Sequence, residues 1–170
     1  MAQIEEKMDQ ALKATTMKIG KYLTFSLEKE EYGIGILKVK EIIGMMSITS
    51  VPRTPDFVKG VINLRGKVIP VMDLRLKFSM GEIPYTERTC IIVVEIDSDS
   101  ETVLIGIVVD SVSEVLNIQD NEIEEAPKFG SKLNTDYILG MAKKDGGVKI
   151  LLNIDKVLST KEITKIEQIQ

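Results

Sequence analysis

The chain has 170 residues, enough for one ordinary domain or for two small ones sharing a core. A net charge of −4 argues against nucleic acid, which asks for a basic face. The absence of histidine removes the commonest general base, the commonest metal ligand and any phosphorylatable carrier imidazole.

Residues 1–19 are polar, with Ile4, Met8, Ala11, Leu12 and Thr15 at helical spacing, and read as a tail or a short amphipathic helix. Glu5, Glu6 and Asp9 do not fit a secretory signal. The longest apolar run, Val103 to Val109, is far too short to span a membrane. The expectation is a soluble cytoplasmic protein with no membrane insertion.

From Lys21 the pattern changes to short strands. "KYLTFSLE" alternates and "EYGIGI" follows a charged turn, whereas "CIIVVEI" and "VLIGIVVD" are dense enough in β-branched residues to be buried on both faces. Turn residues recur at short intervals, which points to small barrels and away from βαβ units.

The chain is also written twice. "YLTFSLE" (22–28) aligns with "TCIIVVE" (89–95), "GIGILKVKEII" (33–43) with "GIVVDSVSEVL" (106–116), and "GVINLRGKVIPVMDL" (60–74) with "GMAKKDGGVKILLNI" (140–154), in the same order. Gly60 and Gly140 mark a close backbone approach, and Asp73 and Asn153 are N-caps of short helices. Pro70 suggests a strand edge or a bulge. The expected division is a first barrel over 20–85, a second over 86–158, and a closing helix or tail over 159–170, where Ile163, Ile166 and Ile169 keep helical spacing. Two such copies side by side would leave a groove between them.

At this point the sequence resembles the CheW family of chemotaxis adaptors. The residues responsible are "EEYGIGILKVKEI" (30–42), "TPDFVKGVINLRGKVIPVMDLRLKF" (54–78) and "IGIVVDSVSEVL" (105–116), with a weaker continuation over 135–158. The resemblance covers roughly residues 20–160 and implies two tandem five-stranded SH3-like barrels with short helices. It also implies a cytoplasmic scaffold, recruited to receptor arrays, that joins the cytoplasmic tip of a methyl-accepting chemoreceptor to the regulatory domain of the histidine kinase CheA, with room for self-association in arrays. It places Val39, Gly60 and Val115 near receptor contact and names no residue for the kinase. The same barrel pair occurs within CheA and CheV; with no kinase segment or receiver pocket here, a stand-alone adaptor fits best, and a regulatory barrel pair from CheA or CheV is the rival in the same class. The rivals from other classes are a small double-barrel enzyme and a peptide-binding module of unrelated signalling. The first lacks any nucleophile–base or phosphate-binding pattern; the second would bind neither partner.

Arg65 stands out by comparison within the chain. Arg65–Gly66 aligns with Asp145–Gly146, and Asp-Gly is what a type I′ hairpin prefers. An arginine at positive φ costs on the order of 1–2 kcal/mol against a permissive residue, so a function is the better reason for it. Glu41 is its natural partner: copy one has Glu41 and Arg65, copy two has Glu114 and Asp145. The expected ion pair would bridge a short helix and the hairpin and orient a receptor-facing surface that includes both residues. Gly66, Pro70 and Asp73 are assigned to structure, while Asn63 stays open. Cys90, the only cysteine, is expected to be a buried, inert thiol. The acidic stretch 120–127 lacks the glycine and ligand spacing of a calcium loop and reads as solvated. No catalytic residue, cofactor or metal is expected.

Overall fold

The computed structural model describes residues 20–97, 101–126, 136–159 and 162. Their strands are β1 (Lys21–Leu27), β2 (Glu30–Gly35), β3 (Val39–Gly44), β4 (Val58–Leu64), β5 (Lys67–Asp73), β6 (Cys90–Asp97), β7 (Thr102–Val109), β8 (Ser111–Asn117), β9 (Ile123–Glu124), β10 (Ile138–Lys144) and β11 (Gly147–Leu152). Two one-turn helices, α1 (Leu74–Lys77) and α2 (Ile154–Val157), follow β5 and β11. Both begin as the sequence implies: the side chains of Asp73 and Asn153 accept from the backbone N–H of Arg75 and Asp155.

The strands form two sheets, ordered β8-β1-β2-β11-β10-β9 and β3-β6-β7-β5-β4. Backbone pairing does not close either sheet, but the arrangement is that of two SH3-like barrels. Mapping each strand onto its repeat turns β8-β1-β2-β11-β10 into β3-β6-β7-β5-β4, so the internal repeat is a repeat of pairing order.

The pairing does not follow the expected division into 20–85 and 86–158. Hairpin β6–β7 inserts between β3 and β5, and hairpin β1–β2 inserts between β8 and β11. Each copy thus lends its leading hairpin to the other. Parallel ladders seat the exchanged hairpins: Val71 opposite Gly106, and Leu151 opposite Gly33. Strands β6 and β7, apolar on both faces, gain interior positions in a sheet, as their composition requires.

The largest core cluster draws on both sheets, from Leu23, Phe25 and Ile34 on one to Ile92, Val94 and Ile105 on the other. Stacked rings of Phe25, Tyr32, Phe78 and Tyr137 run through its margin, with successive centroids 5.9, 6.1 and 5.2 Å apart. The first barrel has a private core around Ile62, Ile69, Val71, Ile91, Val93 and Val108; the second has a smaller one around Ile118, Ala142 and Leu151.

Three local expectations need correction. Strand β5 lies between β7 and β4, so of the two places expected for Pro70 the sheet edge is excluded, while a bulge of β4 lies close by in the same ladder, between Val58 and Gly60. Pro70 is tolerated because Val61, opposite it, turns both backbone groups to Thr49, and because the ladder to β7 begins only at Val71. Cys90 is half-buried at the start of β6, its thiol donating to the Arg88 carbonyl at 3.2 Å. Glu41 lies on strand β3 and not on a helix. The N-terminal segment 1–19 lies outside the described residues, as does nearly all of 159–170; there Ser159 and Glu162 exchange backbone-to-side-chain hydrogen bonds, and Lys77 binds the Glu162 carboxylate at 2.8 Å.

Candidate functional site at the first barrel

Hairpins β4–β5 and β10–β11 turn through the same backbone geometry. Arg65 and Gly66 have φ of 52° and 85°, Asp145 and Gly146 54° and 79°. The type I′ turn therefore holds an arginine in the left-handed region. Asn63 contributes to holding it there, its side-chain carbonyl accepting from the Gly66 N–H at 2.8 Å. Its counterpart is Lys143, which has no acceptor to offer. The open reading of Asn63 thus resolves toward turn support.

The guanidinium of Arg65 meets Glu41 through both of its terminal nitrogens, one of them 3.3 Å from Oε2 and the other on Oε1. The hydrogen bond from Arg65 holds the Glu41 carboxyl below its ordinary value. Strand β3 is one edge of its sheet and β4 the other, so the pair joins opposite edges of the first barrel through side chains. Arg65 keeps 71% of its side chain exposed, so the pair is a fixed charged feature of the surface and a small element of stability.

Around it, Lys40, Glu41, Arg65 and Lys67 rim a depression of about 580 Å³ whose floor includes Leu64 and Leu104. Lys40 pairs in turn with Glu95 at 2.9 Å. This is an open barrel end with a charged rim and an apolar floor.

The other expected residues divide. Val39, two positions before Glu41, is half-buried and packs on the large core. At Gly60 a Cβ would fall well inside contact distance of the Thr49 carbonyl oxygen, and φ is +140°, so backbone geometry alone demands glycine there. Val115 is 51% exposed on edge strand β8, in the other sheet, which rules out core packing as its reason. Its repeat counterpart Ile42 is exposed on edge strand β3 at 44%. Of these residues, the structure joins Glu41 with Arg65 by hydrogen bonds.

Sequence reading passed over a second charged group. Arg75 on α1, whose side chain is only 8% exposed, donates to Asp110 at 2.8 Å, to Glu28 and to the Gly81 carbonyl. Its repeat counterpart Asp155, on α2, binds Lys38 at 2.8 Å, and Lys38 also holds Asp97. The signal available was the opposite charge of the aligned pair Arg75 and Asp155. The acidic stretch after Ile118 is also paired: Lys144 meets Glu122, and Lys143 meets Glu124.

Comparison with known proteins fits this geometry. Residues 21–162 match the CheW-like domain. The chain belongs to the CheW family. It is 42% identical over 148 residues to the chemotaxis protein CheW of Klebsiella aerogenes, covering 87% of each chain. With CheW of Thermotoga maritima it shares 34% over 156 residues, 89% of this chain and 94% of that one. The crystal structure of the scaffolding protein TtCheW from Thermoanaerobacter tengcongensis superposes with a TM-score of 0.73 at 38% identity, covering 84% of this chain and 96% of the other. As in that scaffold, the architecture is mainly β, and the chain is a chemotaxis adaptor by family. Among the described residues no helix is long and apolar enough to cross a membrane.

Proposed function

We propose that the chain is a non-catalytic coupling scaffold, linking the cytoplasmic tip of a methyl-accepting chemoreceptor to the regulatory domain of the kinase CheA, and recruited from the cytoplasm to receptor arrays. The observation that carries this reading is Arg65, held at positive φ and paired across the barrel to Glu41 while the equivalent turn of the second copy bears Asp145. A strained, exposed arginine with a fixed carboxylate partner serves recognition better than stability.

The receptor's helical tip docks by its apolar face in the groove between barrels, with Val39, Glu41, Gly60, Arg65 and Val115 as the residues that shape or line its seat. The homologous barrels of CheA meet the open barrel ends, at residues the sequence does not name. Each contact is modest, about 800 Å² per partner or less, so the lattice of an array supplies much of the holding strength. A receptor change reaches the kinase as a shift in packing, with no chemistry on this chain.

Ternary co-sedimentation with a receptor fragment and CheA tests this reading. The parent protein brings both into the pellet and supports kinase activation, and Arg65→Asp loses most of that recruitment. Equal recruitment by Arg65→Asp removes the arginine from the mechanism; no recruitment by the parent removes the coupling role.

A further inference from the structure

Thr24, on β1, is one of few polar side chains buried among the described residues, and it has no exposed surface at all. A buried hydroxyl needs partners. Both of its partners are backbone groups of one residue on the next strand. Thr24 Oγ1 donates to the Glu114 carbonyl at 2.9 Å and accepts from the Glu114 N–H at 3.2 Å. The residue that follows Glu114 is Val115.

The ladder between β1 and β8 explains the contact. Phe25 is opposite Val112 and Leu23 is opposite Val115, so Thr24 alone stands against both Ser113 and Glu114. Strand β8 therefore carries one extra residue, a bulge, and bulges re-aim the side chains beside them. The hydroxyl takes the place of a rung. Ser113 is held as well, its own hydroxyl donating to Glu31 Oε1 at 3.1 Å. With the bulge fixed in this way, Ser113, Glu114 and Val115 are exposed in succession, where a regular strand would turn every second side chain inward.

The first copy shows the same place without a hydroxyl. Gly33 faces Thr24, and its counterpart Gly106 faces Val93. Val93 therefore stands where Thr24 does, two residues further along than the match of 22–28 with 89–95 suggests. Strand β3 is bulged too, at Lys40, but there Val93 pairs directly with Glu41, the counterpart of Glu114. Exposure then alternates regularly along β3. A valine of the same shape thus fits the position, and what distinguishes the second copy is the hydroxyl.

Resting on the reading of Val115 as part of the receptor's seat, we infer that Thr24 is the positioning residue for Val115. It acts through the backbone of Glu114 and holds an apolar side chain outward on an edge strand, toward the apolar face of a receptor helix. Being fully buried, it does so without touching the receptor.

The test removes the hydroxyl and keeps the shape. Thr24→Val, Thr24→Ser, Val115→Ala and the double variant Thr24→Val with Val115→Ala are made in the full-length chain. Each is titrated against a receptor fragment by co-sedimentation, and each is unfolded in urea. Thr24→Ser recruits the fragment within about twofold of the parent, and Thr24→Val loses about fivefold or more while still unfolding in one cooperative transition. Val115→Ala also loses recruitment, and the double variant loses no more than Thr24→Val alone, because one contact is not lost twice. If Thr24→Val does not fold, Thr24→Ala, which omits the hydroxyl and puts nothing in its place, is compared in the same way; failure of both to fold assigns Thr24 to stability and overturns the inference. Parent-like recruitment by Thr24→Val beside an impaired Val115→Ala overturns the role of Thr24 and leaves the seat standing. So do losses that multiply in the double variant, or a Thr24→Ser as weak as Thr24→Val, since either assigns the effect to packing. Parent-like recruitment by Val115→Ala removes Val115 from the seat, and the role of Thr24 falls with it.

Discussion

The two hairpin tips have the same turn and different contents. In the second barrel, Asp145–Gly146 is a sequence suited to its geometry, and it makes no bond across to Glu114. In the first, Arg65 occupies the same strained position, braced by Asn63 and bound to Glu41 on the far edge. The difference shows how a duplicated fold can leave one copy to satisfy the backbone while the other carries a charged fixture that the backbone alone would not select.

The comparison can be broken most severely at its shared backbone. Gly60 and Gly140 both stand at a bulge where another segment approaches, but only Gly60 has positive φ. Gly60→Ala costs about 3 kcal/mol, and Gly140→Ala, whose Cβ would sit 2.7 Å from the Glu124 carbonyl oxygen, roughly 1 kcal/mol less. Urea unfolding midpoints measure both; equal losses would show that the close approach matters and the dihedral does not.

Next in size come the ion pairs at the two short helices. Arg75→Met leaves the Asp110 carboxylate, in a largely enclosed setting, without its cation and with only the Glu28 backbone N–H as donor, and costs about 2–3 kcal/mol. Lys38→Met, at a more open site, costs about 1 kcal/mol. Both values follow from the same denaturation series.

The hairpin tips themselves give smaller and opposite effects. Asp145→Gly relieves a strained residue and stabilises by about 0.5 kcal/mol without touching recruitment of receptor or kinase. Arg65→Gly leaves the melting temperature near that of the parent and weakens recruitment. Calorimetry paired with co-sedimentation separates the two.

The smallest effect is in pH. The hydrogen bond from Lys149 holds the Glu31 carboxyl below its ordinary value of 4.5, and that from Arg65 does the same for Glu41. Between the folded and the unfolded values the unfolded chain binds more protons. The stabilisation is therefore complete above about pH 4.5 and lost as pH falls through the lower folded-state values. Melting temperatures from pH 7 down to 3 should fall more gently in Glu31→Gln than in the parent, with Glu41→Gln closer to the parent.

How much of this was legible depends on whether the signal was local. Strands β1, β2, β6 and β7 follow from periodicity and β-branched density, and the N-caps at Asp73 and Asn153 from residue type. The Glu41–Arg65 pair was also readable, because aligning the copies exposed complementary charges in one and none in the other. The exchange was not. A strand's alternation says which face is buried but not which strand lies beside it, and β2 suits β11 or β5 equally in pattern. Arg75 was missed for a related reason: on a one-turn helix it reads as surface charge until Asp110, 35 residues away, closes over it. Glu41 was misplaced on a helix because its neighbours Lys40 and Ile42 give no strong alternation.

Interleaving also dictates an order of events on the ribosome. The first barrel lacks its central hairpin until β7 has emerged, and β1–β2, made before the other strands described, has no neighbouring β11 until β10 and β11 have emerged. At ~5–20 residues per second that wait is on the order of ten seconds. During it, the apolar faces of Leu23, Phe25 and Ile34 stand without their eventual cover, so the newborn protein depends on a late hairpin to shelter an early one.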